Sequence, residues 1–156
     1  MKLAITVIRN TVKDFVTSLK KESMKASRKA INKCGLQLRN QARKNLKSSV
    51  SHITDSHFGD KLIQGVRAGK TFRKDNSFAR YVRITKNKRA KGKSSGWFRL
   101  GWLNHGTQQR FKKTNGRSTG SMKATHFYDN ALSSYQSKFG QEYNNEMNKA
   151  LAKIKK

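Results

Sequence analysis

Residues 12–48 read VKDFVTSLKKESMKASRKAINKCGLQLRNQARKNLKS, and the spacing of their apolar positions decides the fold. Phe15 and Leu19, then Ala26, Ala30, Cys34, Leu38, Ala42 and Leu46, recur after four residues or after a step of seven. That spacing keeps side chains on one stripe of an α-helix, so it predicts one long amphipathic helix over about 12–48. The other faces carry Lys20, Lys21, Lys25, Arg28, Lys29, Lys33, Arg39, Arg43, Lys44 and Lys47, opposed by Asp14 and Glu22 alone. Few oppositely charged pairs one turn apart can offset the repulsion, and the helix must be held by packing. Gly35 costs about 1 kcal/mol relative to alanine in a helix interior. It marks either a bend or a place where another segment comes close to the backbone.

Outward from this helix the period changes. Residues 2–9 alternate imperfectly, Leu3, Ile5 and Val7 against Ala4, Thr6 and Ile8, and predict a short strand. Residues 48–60 (SSVSHITDSHFGD) have neither period and read as a loop. Three stretches then look strand-like: 62–67 (LIQGVR), 78–85 (FARYVRIT) and 96–105 (GWFRLGWLNH). A small antiparallel sheet is the economical arrangement, with Arg80 accommodated at an edge. Two basic segments, 86–93 (KNKRAKGK) and 110–117 (RFKKTNGR), read as loops between strands. A second long helix is predicted over about 125–154, with Thr125 as N-cap and Asp129 in its early turns. Its stripe of Phe127, Ala131, Tyr135, Phe139, Tyr143, Met147, Leu151 and Ile154 recurs nearly every fourth residue and so winds slowly around the helix. The predicted class is α+β: a small antiparallel sheet packed against a long N-terminal and a long C-terminal helix in a single domain over 1–156 (strand 2–9, helix 12–48, sheet and basic loops 60–122, helix 125–154).

Composition limits what such a domain does. The chain has 156 residues, 34% of them hydrophobic, and a formal net charge of +28, far more than solubility requires. A polyanion or an acidic partner surface is expected. No run approaches the roughly 20 apolar residues of a membrane span, and residues 1–10 are too short for a signal peptide, which predicts an intracellular, soluble product. Cys34, the one cysteine, excludes an internal disulfide and reads as a small buried core residue.

No catalytic set stands out. Asp14, Glu22, Asp55, Asp60, Asp75, Asp129, Glu142 and Glu146 are scattered with no acid–base spacing, so the chain is not expected to be an enzyme. His52, His57, Asp55 and Asp60 match no zinc spacing, and Gly92, Gly96, Gly101 and Gly106 form no phosphate-binding fingerprint. No cofactor or metal is expected. The basic segments flank Trp97, Phe98, Trp102 and Phe111, a combination that attracts phosphate and stacks bases; filling a core between sheet and helices is the favoured reading of the rings. The contact residues to consider are Lys88, Arg89, Lys91 and Lys93 in one segment and Arg110, Lys112, Lys113 and Arg117 in the other.

At 102–110 (WLNHGTQQR) the chain resembles the tail-completion or head-tail joining (neck) proteins of long-tailed phages, also labelled minor tail proteins. The family carries an apolar or aromatic residue, a short polar linker, then Gly-Thr and a basic residue. Gly106 and Thr107 are the Gly-Thr, and Asn104 and His105 stand where the family has an acidic residue. Upstream, Gly59 and Leu62 resemble the family's Gly-x-Leu element after a long basic helix, and Phe127, with Asp129, Asn130 and Ala131, resembles the phenylalanine that opens its last helix. The resemblance implies an α+β virion component without catalysis. It implies assembly at the neck or head-proximal end of the tail, beside other connector and tail-tube proteins, and a location in the virion and, during assembly, the host cytoplasm; two helices with more apolar or aromatic face than a small sheet can cover suit a ring of identical copies there. Non-specific contact with DNA is compatible with it, contact with a membrane is not expected, and a nucleic-acid-binding module built on the aromatic-flanked basic segments is the alternative.

Overall fold

The computed structural model describes residues 2–50, 62–75, 77–85 and 97–154. The first element, α1 (Lys2–Ser49), is a helix of 48 residues. It contains the predicted helix and also absorbs the predicted strand over 2–9, which is helical. β-Branched Ile5, Thr6 and Val7 favour a strand locally, but an unpaired strand leaves its backbone groups without partners whereas a helix satisfies its own. Ile5, Ile8, Val12, Phe15 and Leu19 also recur at three- and four-residue intervals, so the helical period runs without a break into residues 12–48.

The middle of the chain contains β1 (Val66–Ala68), β2 (Phe72–Lys74), β3 (Ser77–Ala79) and β4 (Val82–Ile84). They pair as ribbons of two rather than as one sheet. Val66 faces Ile84, Arg67 faces Arg83 and Ala68 faces Val82, while Phe72 faces Ala79 and Arg73 faces Phe78. The ribbons are successive lengths of one antiparallel hairpin, bridged where the Gly69 N–H donates to the Tyr81 carbonyl at 2.8 Å. The strand expected over 62–67 begins only at Val66, because Gly65 donates back to the Leu62 carbonyl at 2.9 Å and closes a turn.

The third strand-like stretch is a helix, α2 (Trp97–His105). Leu100 and Asn104, one turn apart, are both buried, a helical pair that alternation of large residues had obscured. The basic stretch 110–117 is not a plain loop: β5 (Arg110–Phe111) and β6 (Ser118–Gly120) pair antiparallel around it. The last element, α3 (Phe127–Ile154), begins two residues after the expected start. The class is α+β, with a long helix at each end and small antiparallel β-structure between.

α1 and α3 run antiparallel: Asn45 donates to the Phe127 carbonyl at 3.2 Å, Tyr135 to Gln37 at 2.5 Å and Tyr143 to Ser27 at 3.1 Å. Ala42 and Leu46 of α1, Leu62, Ile63 and Val66, Leu100 of α2, and Phe127 and Ala131 of α3 form the core. Arg43 donates twice to the Val66 carbonyl, at 3.1 and 2.9 Å, and Tyr128 donates to that of Val82 at 2.5 Å, tying both helices to the hairpin.

Along α3, each step of four residues turns about 40° past a full turn, so the stripe winds around the helix: Tyr143 still reaches Ser27 of α1, while Phe139 and Leu151 are each 39% exposed. Carboxylates replace them. Glu142 meets Lys33 at 2.8 Å, and the buried Glu146 meets Lys29 at 3.4 Å and Lys33 and Lys149 at 3.5 Å. Burial alone would raise the Glu146 carboxyl, but Lys29, Lys149 and Lys33 outweigh it and hold it below the usual 4.5.

Candidate functional site

The residues singled out by the motif at 102–110 converge on one joint between α2 and α3. α2 stops at Gly106, whose φ of +76° suits glycine and whose N–H donates to the Trp102 carbonyl at 2.7 Å. A Cβ there would sit 2.8 Å from the Met122 carbonyl oxygen. Thr107 clasps the returning chain twice: its N–H donates to the Met122 carbonyl and its Oγ1 accepts from the Met122 N–H, both at 2.9 Å.

The carbonyls at the end of α2 are then satisfied by the start of α3. Thr125 donates to the Leu103 carbonyl through its N–H at 2.8 Å and its hydroxyl at 2.7 Å, and His126 donates to the Asn104 carbonyl at 3.0 Å. Thr125 is therefore not the N-cap. The first α3 carbonyl used is that of His126, at φ +49°, and the capping side chain is the distant Asn104: its Oδ1 accepts from the Tyr128 N–H at 2.9 Å and its Nδ2 donates to Asp129 at 2.8 Å. Leu62 and Phe127 lie in the core beneath. His105 is exposed, and Gly59 lies outside the described residues.

Of the predicted contact residues, Lys88, Arg89, Lys91 and Lys93 also lie outside the described residues, as do His52, Asp55, His57 and Asp60. Arg110, Lys112, Lys113 and Arg117 are exposed on the β5–β6 hairpin. Arg110 lies over the ring of Trp102, 4.8 Å from its centroid, and Trp102 is 38% exposed, so this ring is not core.

A larger basic feature lies elsewhere. A groove of about 980 Å³ runs between α1 and the β1–β4 hairpin. Lys25, Arg28, Lys29 and Asn32 form its α1 wall; Arg67, Lys70, Arg80 and Arg83 form the other, with Ala68, Gly69, Thr71 and Thr85 between them. No carboxylate is among these lining residues. Arg80 crosses from the hairpin to α1, where its Nη1 donates to the Asn32 carbonyl at 2.9 Å and to the Asn32 side chain. Gly35 permits this crossing, since a Cβ there would meet the Arg80 Cδ at 2.6 Å; of the two roles open to Gly35, close approach is the one found. Burial and Arg39 lower the Arg80 guanidinium below its ordinary value. Its Nε and the Thr71 hydroxyl are buried without partners among the described residues.

Sequence reasoning missed the groove because Arg67 and Arg83 meet only through the β1–β4 register. The signal was present in the expectation that Arg80 needs special accommodation in its strand. Within the described residues, no three His, Cys, Asp or Glu side chains gather as a metal site, and no helix is long and apolar enough to cross a membrane. No family model, curated protein or solved structure matches the chain.

Proposed function

We propose that this chain is a non-catalytic component of a long-tailed phage or prophage particle that joins head and tail, assembling as a ring at the neck or the head-proximal end of the tail. The observation that carries the proposal is the convergence at the α2–α3 joint. Gly106, Thr107 and Phe127, on which the family resemblance rests, are bonded or packed around one connection, with Leu62 in the same core and with Asn104, at a position where the family has an acidic residue, bonded within it. Positions that build the fold are those a family of similar folds would retain.

Self-assembly is supported by apolar surface left without cover. The antiparallel pairing carries α3 to Ile154 beside the neighbourhood of Glu22, so about 18 residues of α1, on the order of 25 Å at 1.5 Å per residue, extend past it. On this extension Val12, Phe15 and Val16 are each more than half exposed. Leu132 and Phe139 border a second apolar recess of about 270 Å³ between α1 and α3. Surfaces of this kind mark interaction sites, and identical copies in a ring would cover them, with connector and tail-tube proteins above and below.

Deletion of the gene from an inducible phage tests the proposal. Filled heads and separate, unattached tails are the expected products; intact infectious particles would overturn it. The basic groove favours a second reading, a nucleic-acid-binding module.

A further inference from the structure

We infer that the groove between α1 and the β1–β4 hairpin binds the phosphodiester backbone of a nucleic acid, without regard to base sequence. Arg67 and Arg83 stand directly opposite each other in the antiparallel register, and both line the groove. Arg67 also donates to the Gln64 carbonyl at 3.0 Å. A phosphate seated against the Arg83 guanidinium makes charge-assisted hydrogen bonds, for which that planar fork is suited.

The remaining charges point the same way. Lys25 is paired with Glu22 at 2.6 Å and Lys29 with Glu146 at 3.4 Å. Arg28, Lys70 and Arg83 make no ion pair with a carboxylate among the described residues, so their charge is left for a ligand. The cations stand on both walls, and small Ala68 and Gly69 lie between those of the hairpin. A ligand that meets charges on both walls is itself densely and repeatedly charged, as duplex DNA is, with one phosphate per roughly 1.7 Å of its axis. Among the described residues no aromatic side chain lines the groove, so none of them stacks on bases there, and the contact they make is with the backbone. Nucleic-acid binding by the groove does not require the chain to be a virion component.

The test is fluorescence anisotropy of the full chain with a mixed-sequence duplex of about 30 base pairs, from about 50 to 200 mM salt. The triple variant Arg28→Gln, Lys70→Gln, Arg83→Gln is compared with a hairpin triple variant, Lys112→Gln, Lys113→Gln, Arg117→Gln. The groove variant is expected to reduce the slope of log affinity against log salt by about 2.7, roughly 0.9 for each lost phosphate contact. It should also bind at least about tenfold more weakly near 150 mM salt. The hairpin variant keeps most of the slope, and poly-glutamate at equal charge fails to displace the duplex. Should the triple groove variant fail to fold by circular dichroism, exposed Lys70→Gln alone reports the same loss at about 0.9 in slope. Unchanged affinity and slope in the groove variant overturns the inference, as does equal displacement by poly-glutamate, which would indicate an acidic polypeptide as the ligand.

Discussion

Asn104, at the end of α2, caps the N-terminus of α3 across 24 residues of sequence: its side-chain oxygen accepts the Tyr128 N–H at 2.9 Å while its side-chain nitrogen donates to Asp129 at 2.8 Å. It is almost fully buried. Both polar ends are used, and neither has access to water as a substitute, so the side chain fixes where one helix ends and the next begins.

Asn104→Ala leaves the Tyr128 N–H without its acceptor and should cost about 1 to 3 kcal/mol. Asn104→Asp keeps an acceptor but sets a carboxylate against Asp129, and should also destabilise. His105→Ala, one residue on and exposed, should lie within about 0.5 kcal/mol of the parent. Urea midpoints of the three variants check this ranking.

Gly106→Ala places a Cβ against the Met122 carbonyl in a left-handed backbone conformation. A loss of more than about 1 kcal/mol is expected in thermal unfolding, because both the conformation and the contact oppose the methyl group.

Phe127→Ala should cost about 3 to 5 kcal/mol, since its ring is fully buried in the core. Phe139→Ala, whose ring is 39% exposed at the border of the recess between α1 and α3, should cost much less in the monomer. Chemical denaturation at a concentration where the chain is monomeric separates the two.

Acid should loosen the α1–α3 interface. Hydrogen bonding from Lys33 lowers the Glu142 carboxyl, and the surrounding lysines hold Glu146 low despite its burial, both below the ordinary 4.5. As pH falls, the unfolded chain takes up protons at these carboxylates before the folded chain does. Stability from the ion pairs is therefore present above about pH 4.5 and lost below it. Lys33 is raised above 10.5 by Glu142, so its contribution is lost in strong alkali. Unfolding midpoints measured down to about pH 3 should fall less steeply for Glu142→Gln, Glu146→Gln than for the parent.

Much of this fold was legible in residue spacing, and the failures have identifiable causes. The stripe from Ala26 to Leu46 predicted the packed face of α1, and the every-fourth-residue spacing on α3 predicted a stripe that winds around the helix, as the exposure of Phe139 beside buried Phe127 and Ala131 reflects. Residues 2–9 were misread because β-branched side chains outweighed a helical period that was also present. Residues 96–105 were misread because Trp97, Phe98, Leu100 and Trp102 mimic strand alternation, while the deciding pair, Leu100 and Asn104, includes a polar residue. Asn104 was noticed only through the family resemblance, since no local spacing shows that an asparagine caps a helix 24 residues away. The groove depends on strand register, which three-residue strands do not specify on their own.

Copies of this chain are proposed to close into a ring through apolar surface that the monomer leaves open. Electron microscopy of the purified chain, with mass measured in solution, tests it against a variant carrying Val12→Asp and Phe15→Asp on the extension of α1. Closed rings of uniform size are expected for the parent and folded monomers for the variant, whereas a parent that stays monomeric at every concentration overturns the proposed ring.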